Sequence, residues 1–367
     1  MISLVLAIRS LNIGGAERQF IELLKNIDKS KFKVSVCTMY GGCQEVDIMG
    51  IGNIEYYNLK KKGPYDILGF YLTYKKLLHG IKPDVVYSFM PEMNLFSLWC
   101  KPKKTKIIWG FRASNIDLDK YNNIAKLVFL LQKIFSNKAN LIIANSYSSI
   151  EFHKSVGYFM DRSVVIPNGI DVNKFMPNKK ENNNFREKYG IDQGGIVIGI
   201  VARLDPMKGY MVLSKAAKEI LEKHKNIVFF SVGCGDESIK IECQKVLEYN
   251  NRFIWLGQQY DVERLYAGFD IVVSSSSSES FSNSIAEAMS SGCMVVVTDV
   301  GDSRRIVGDI GVVVEPNNVD ALLCGIDRAL QSNYKYIGRM CRDRILNNFS
   351  IKNMIESTQM EIIKCVE

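Results

Sequence analysis

Histidine, proline and paired cysteine are what this chain has least of. It carries three histidines and eight prolines in 367 residues, and none of its nine cysteines forms a C-x-x-C pair. The cysteines are scattered (Cys37, Cys43, Cys100, Cys234, Cys243, Cys293, Cys324, Cys341 and Cys365) and odd in number. That spacing argues against a zinc site or a disulfide framework, and reduced thiols of a cytosolic protein are the expectation. No stretch approaches the roughly 20 apolar residues of a membrane span. The opening run Met1–Ile8 has its first basic residue, Arg9, behind it rather than ahead of it, so it reads as a first β-strand and not as a leader. No G-x-G-x-x-G is present to hold a dinucleotide. No D-x-D motif is placed after a strand, and no metal is expected.

What is present is a globular composition, 47% hydrophobic, in a chain long enough for two domains. The net charge of +8 is uneven. Residues 1–168 hold 23 Lys and Arg against 13 Asp and Glu, whereas residues 169–367 hold 24 against 26. Lysines cluster at 60–62 and 101–106, with Lys25, Lys29, Lys31 and Lys33 nearer the start. Such clusters are ordinarily solvated surface. Their functional reading is a face that meets anionic lipid headgroups or a diphosphate-bearing acceptor. No aromatic residues interleave with the charges as a nucleic-acid site would need.

Short β-branched runs alternate with helical patterns throughout. Strands are expected at Leu4–Ile8, Lys33–Met39, Ile54–Asn58, Val85–Ser88, Lys106–Trp109, Leu141–Asn145 and Ser163–Ile166. After the turn-forming Pro167-Asn-Gly-Ile-Asp171 the pattern restarts, with strands at Ile196–Val201, Ile227–Val232, Phe253–Leu256, Ile271–Ser274, Met294–Thr298 and Gly311–Val314. Helical patterns fill the intervals, among them Ala16–Asn26, Leu68–Leu78, Asn122–Phe135, 208–224 and 284–291. Asn178–Asn184 reads as a polar linker. Strands buried on both faces and separated by helices describe an α/β protein with parallel sheets. The boundaries read as 1–168 for a first Rossmann-like domain, 169–348 for a second, and 349–367 for a terminal helix.

Ligands of such sheets gather at the carboxyl ends of strands. One such end carries Glu279-Ser-Phe-Ser-Asn-Ser-Ile-Ala-Glu287, two carboxylates with seven residues between them, ahead of Ala288-Met-Ser-Ser-Gly292. Glu279 is placed in a loop and Glu287 about two turns into the helix that follows, whose N-terminus favours an anion. Arg203 and Lys208 occupy another strand end, in Val201-Ala-Arg-Leu-Asp-Pro-Met-Lys-Gly209. A fork-shaped guanidinium and a point-charge ammonium suit a diphosphate. Gly14 and Gly15, in Asn12-Ile-Gly-Gly-Ala-Glu-Arg18, let backbone approach a ligand. Singly, each also reads as ordinary loop architecture.

In this order and at these spacings the motifs resemble family 4 of the retaining glycosyltransferases, whose members have the GT-B fold of two Rossmann-like domains facing a central cleft. The resemblance spans residues 12 to 292. It implies transfer of a sugar from a nucleotide-diphosphate donor, with uridine the expected base, and no cofactor. Arg203 and Lys208 would hold the diphosphate and stabilise the leaving group, and Glu279 would face the donor sugar. Ser280, Phe281, Ser282 and Asn283 would cradle that sugar, Glu287 would bind the ribose, Leu256 and Gly257 would face the base, and Gly14 and Gly15 would lie against the diphosphate. Ser280 and Ser282 stand where relatives more often carry glycine. Trp109-Gly-Phe-Arg-Ala-Ser-Asn-Ile-Asp117 lacks the histidine many relatives place there, so Arg112, Ser114 and Asn115 become acceptor-side candidates.

A saccharide acceptor, lipid-linked as in surface-polysaccharide assembly, fits the basic first domain. The expected location is the cytoplasm, peripheral on the inner face of the plasma membrane. The apolar pattern Ile124–Phe135, edged by Lys126 and Lys133, reads as core or as interfacial helix. Two other readings are a GT-B sugar-nucleotide epimerase and a non-catalytic nucleotide-sugar-binding subunit.

Overall fold

The computed structural model describes residues 1–12, 14–115 and 122–367. Ile13, and the Ile116–Asp117 end of the Trp109 string, lie outside the described residues. The described chain divides into two compact units, Met1–Gly169 with Ile351–Glu367, and Ile170–Ser350.

The first unit holds seven strands: β1 (Ile2–Ile8), β2 (Phe32–Thr38), β3 (Ile54–Asn58), β4 (Val85–Phe89), β5 (Lys106–Phe111), β6 (Leu141–Ala144) and β7 (Ser163–Val165). They pair in the order β3-β2-β1-β4-β5-β6-β7, every pair parallel. Burial on both faces explains why β1 and β4 read as unbroken apolar runs rather than as alternation. On one face Phe20 and Leu24 of the Gly15–Asn26 helix share a core with Leu4, Leu6, Tyr87 and Ile108. Met354, Ile355 and Ile362 of the terminal helix, Ile351–Val366, join the same core. The connection out of β7 is clamped by Gln19, whose amide donates to the Gly169 carbonyl at 3.0 Å and accepts from its N–H at 2.9 Å.

The second unit holds β8 (Ile196–Val201), β9 (Ile227–Val232), β10 (Phe253–Gly257), β11 (Ile271–Ser274), β12 (Met294–Thr298) and β13 (Val312–Val314). The order is β10-β9-β8-β11-β12-β13, again parallel throughout. In each sheet the chain reverses its direction of travel beside its first strand, between β1 and β4 and between β8 and β11. Helices leave those two points on opposite faces, which opens a crevice at the carboxyl ends.

One expectation fails. The polar stretch read as a linker is the Lys179–Lys188 helix, started by Asn178, whose side chain accepts from the N–H groups of Lys180 and Glu181. Phe185 anchors it against Phe230 and Phe269. A single buried ring per three turns was too little periodicity to register as helix.

His153, in the Tyr147–Ser155 helix, is buried among Phe111, Phe129, Phe152 and Tyr158. Its Nδ1 donates to the Ser149 carbonyl at 2.7 Å, and burial pulls its pKa down to about 4. The ordinary value is about 6.5, so on acidification the unfolded chain takes up this proton before the folded one. The resulting stabilisation is complete above pH 6.5 and falls away as the pH drops towards 4, by about 3 kcal/mol in all. Replacing it with a ring that cannot titrate (His153→Phe) is expected to flatten the melting temperature between pH 6.5 and 4 relative to the parent. Parallel curves would remove this residue from the acid response.

Candidate active site

The carboxyl ends of β8 and β11 bring the sequence-selected charges together. β8 releases the chain at Val201. Leu204 then pairs with the loop after β9, its N–H donating to the Cys234 carbonyl at 3.0 Å and its carbonyl accepting from the Asp236 N–H at 2.9 Å. Asp205 caps the short turn Pro206–Lys208 by accepting from the Met207 N–H. That turn delivers Lys208 to Glu279. Its ammonium donates to Glu279 Oε1 at 2.6 Å, with the two side chains 19% and 12% exposed. Ser276 Oγ donates to the same oxygen at 2.8 Å. Thr298 at the end of β12 holds Ser276 in turn, its hydroxyl donating to the Ser276 carbonyl at 2.6 Å. Ser275 Oγ donates to the Lys208 carbonyl at 2.9 Å and ties the two loops from the other side.

Two glycines make this closeness feasible. Gly209 has a φ of 64°, and a Cβ there would lie 1.9 Å from the Ser275 carbonyl oxygen. Gly301 has a φ of 55°, and its Cβ would lie 2.3 Å from the Glu279 carbonyl oxygen. A side chain at Gly209 would drive the Lys208 loop from the loop after β11, and one at Gly301 would push the Glu279 backbone away from the loop after β12.

Arg203 stands further out. Its side chain is 73% exposed, and Asp205 approaches it at 3.6 Å. Its guanidinium can therefore swing to a ligand at little cost, whereas Lys208 is preplaced. The loop Glu279–Ser282 leads into the Asn283–Ser290 helix, whose Ser282 cap accepts from no backbone N–H of the first turn, its hydroxyl lying 3.2 Å from that of Ser284. Ser280 and Asn283 are half-buried and Ser282 is buried. The Phe281 ring turns into the core against Phe349, so its side chain packs and only its backbone belongs to the loop. Glu287 sits about one turn into this helix rather than two, because the helix opens at Asn283 and not beside Glu279. It is buried, with the Tyr266 hydroxyl donating to Oε2 at 3.5 Å. Leu256 is half-buried at the end of β10. There a register shift interrupts the pairing with β9, which resumes at Gly257 opposite Val232, and Gly257 has a φ of 67°. Trp255 lies stacked on Tyr210 and serves the core.

In the first unit Gly14 is extended and precedes the Gly15–Asn26 helix, to which it can offer no side-chain cap. Its near neighbour is Glu17, whose carboxyl is pushed above the usual range by burial. Arg112 follows β5 and is held by neutral partners. Its guanidinium donates to the Tyr87 hydroxyl at 2.9 Å and to Asn168 Oδ1 at 3.2 Å, and it lies 5.0 Å from the Phe89 ring centroid. It makes no ion pair among the described residues. Ser114 is half-buried, and Asn115 is exposed with a φ of 51°, a conformation that asparagine tolerates.

Sequence reasoning missed Ser276, Thr298 and Asn94. The first two were concealed in a serine tract and a strand end. Asn94 lay in a helix, Pro91–Cys100, that the pattern did not disclose.

Comparison with known proteins agrees with this geometry. A "Glycosyltransferase Family 4" model matches residues 13–174 and a "Glycosyl transferases group 1" model matches residues 181–345. The chain is 28% identical over 295 residues to the Escherichia coli UDP-Gal:alpha-D-GlcNAc-diphosphoundecaprenol alpha-1,3-galactosyltransferase, covering 77% of this chain and 75% of that one. It is 25% identical over 341 residues, 89% of each, to the Campylobacter jejuni N-acetylgalactosamine-N,N'-diacetylbacillosaminyl-diphospho-undecaprenol 4-alpha-N-acetylgalactosaminyltransferase. Its fold superimposes on that of Anabaena HepE, solved with UDP and glucose, at a TM-score of 0.83 and 20% identity over 99% of both chains. Two parallel Rossmann-like sheets give the chain the GT-B fold. The chain belongs to glycosyltransferase family 4.

Removing the Ser276 hydroxyl (Ser276→Ala) leaves the Lys208–Glu279 contact but frees the carboxylate to rotate. Turnover is expected to fall about tenfold, the worth of one hydrogen bond to a charged group, with little change in melting temperature. Steady-state kinetics beside a thermal melt check this; turnover equal to the parent's would show that Ser276 does not position Glu279.

Proposed function

We propose that the chain transfers a sugar, with retention, from a UDP-sugar to a saccharide carried on a lipid diphosphate, without a metal ion. The observation that carries this reading is the Lys208–Glu279 pair, preplaced at the carboxyl ends of β8 and β11 with exposed Arg203 on the same loop. Two cations on one loop can meet the charge that grows on a departing nucleoside diphosphate, which is the work a divalent ion would otherwise do. Glu279 keeps Lys208 oriented before the donor arrives and presents a carboxylate to the sugar hydroxyls. No side chain is assigned as a covalent nucleophile, so the acceptor hydroxyl attacks on the face from which the diphosphate leaves and passes its proton to it.

The acceptor class is supported by the two bacterial relatives, whose names specify diphosphoundecaprenol-linked sugars. A membrane-borne acceptor also accounts for a surface of the first unit. The Asn123–Phe135 helix leaves Ile124, Leu127, Leu130 and Ile134 between 39% and 57% exposed, and Lys126 and Lys133 share the same helix. An apolar stripe flanked by lysines suits the headgroup region of an anionic bilayer. No helix among the described residues is long and apolar enough to cross a membrane, and the enzyme works from the cytoplasmic side as a peripheral protein.

A panel of uridine and guanosine diphosphate sugars, assayed for nucleoside diphosphate release with and without lipid-linked acceptor, tests the reaction. Acceptor-dependent release from a UDP-sugar is expected, with the anomeric configuration of the product kept and chelator without effect. Lys208→Ala should lower turnover by about 100-fold or more. Release that needs no acceptor, or an inverted product, would overturn the reading. Sedimentation with vesicles tests the surface. Binding to anionic but not neutral vesicles is expected, weakened by salt and by Leu127→Glu. Equal binding to both vesicle types would remove the electrostatic part of the argument.

A further inference from the structure

A cavity of about 300 Å³ opens in the first unit where β1, β4 and β5 end. Its walls come from Met90, Phe111, Val128 and Phe129, and Arg9 and Glu92 close one side, their side chains 3.5 Å apart. Two polar groups of this cavity have unused hydrogen-bonding capacity. Asn94 is fully buried, and its Oδ1 accepts from the Ser88 hydroxyl at 2.8 Å, which turns its Nδ2 away from that partner. Nδ2 has no acceptor among the described residues. Arg112 uses its two terminal nitrogens on Asn168 and Tyr87, and its buried Nε likewise has no acceptor among the described residues. Buried N–H groups are almost always paired, by protein, by water or by a ligand. Here two such donors border one cavity.

The walls narrow what could satisfy them. The missing group must be an acceptor oxygen, and the apolar side chains around it favour a small apolar substituent beside that oxygen. His153 also lines the cavity. With Nδ1 donating to the Ser149 carbonyl, its Nε2 is left as a neutral acceptor. An acetamido group carries all three complements: a carbonyl oxygen, an N–H and a methyl.

We propose that this cavity seats the acetamido group of an N-acetylated acceptor sugar, with its carbonyl oxygen taking the hydrogen bonds of Asn94 Nδ2 and Arg112 Nε. The inference rests on reading the first unit as the acceptor side, and it makes that unit selective for N-acetylhexosamine over hexose. A hexose would set a hydroxyl, whose own O–H needs an acceptor, against the apolar wall and leave the space of the methyl unfilled. A missing apolar group in a fitted pocket is worth about 10- to 200-fold.

Saturation-transfer NMR on the full chain with methyl glycosides of N-acetylglucosamine, glucose and glucuronic acid tests the cavity directly, without donor or lipid. The N-acetyl methyl protons are expected to receive the strongest saturation, and the glucoside to bind at least tenfold more weakly. Asn94→Asp keeps the contact with Ser88 but replaces the free donor with an acceptor, and it should weaken binding of the N-acetylglucosaminide at least tenfold. Val128→Phe fills the wall without touching the polar groups and should do the same, so the result does not depend on one variant folding. UDP binding and the thermal melt report that each variant is intact. Equal binding of all three glycosides, preference for the glucuronide, binding of none, or parent-like binding by folded variants would each overturn the proposal, a water-filled cavity being the remaining account. If the N-acetylglucosaminide binds as expected and no lipid-linked acceptor is ever glycosylated, the proposed function fails while the cavity assignment stands.

Discussion

Parallel pairing is the constraint on which everything else in this protein depends. Two neighbouring parallel strands cannot be joined by a tight turn, so the chain must cross the sheet each time, and here helices make the crossings. Every strand therefore ends on the same edge, and the loops that leave those ends are the natural place for polar side chains. In the second unit, reversal beside β8 places the β8 and β11 loops side by side. That adjacency brings Lys208 within 2.6 Å of a carboxylate 71 residues further along the chain. In the first unit the same reversal beside β1 places the β4 and β5 loops around Asn94 and Arg112.

The charges at the ends of β8 and β11 form a graded set. Lys208 is held by Glu279, Glu279 by Ser276, and Ser276 by Thr298, so a rigid strand end is linked by three hydrogen bonds to the ammonium. Arg203 is mostly exposed and only loosely approached by Asp205. A preplaced cation with a mobile one beside it lets a site receive a diphosphate and still release it, since the second charge need not be desolvated until ligand is present. Glu287 belongs to a different layer, buried beside Tyr266 and one turn along the helix. The two glutamates of the motif thus differ in environment although they are alike in sequence.

The loop after β5 in the first unit is organised around an arginine rather than a histidine. Arg112 has no acidic partner among the described residues, lies over Phe89 and donates to two neutral groups. Stacking and neutral hydrogen bonds hold a guanidinium in place without cancelling its charge. The neighbouring His153 lies buried in an aromatic cluster and is kept neutral by that burial, so the two bases do different work in one neighbourhood. Outward from both, the Asn123–Phe135 helix gives Val128 and Phe129 to the cavity and Leu127 and Leu130 to solvent. One helix thereby lines a cavity and presents an apolar stripe to solvent at once.

The sequence by itself determined the strands and the class. The strands lie where the sequence marks them, the central ones because a strand buried on both faces is apolar along most of its length, while edge strands such as β3 are only partly buried and carry polar residues. The motif residues stand at strand ends for the same reason, and their order and spacing disclosed the family. Local pattern did not show Lys179–Lys188 as a helix, since Phe185 is its one buried apolar side chain and its other anchors, Arg186 on Asp270 and Asn182 on the Ala267 carbonyl, are polar. Nor did it show the Pro91–Cys100 helix, so Asn94 went unnoticed. Tertiary structure alone decided that Phe281 packs inward while its neighbours line the loop, that Ser276 and Thr298 brace Glu279, and that Arg112 meets neutral partners. Such facts depend on which loops become neighbours across a sheet, and contacts between residues tens of positions apart leave no periodicity in the chain that makes them.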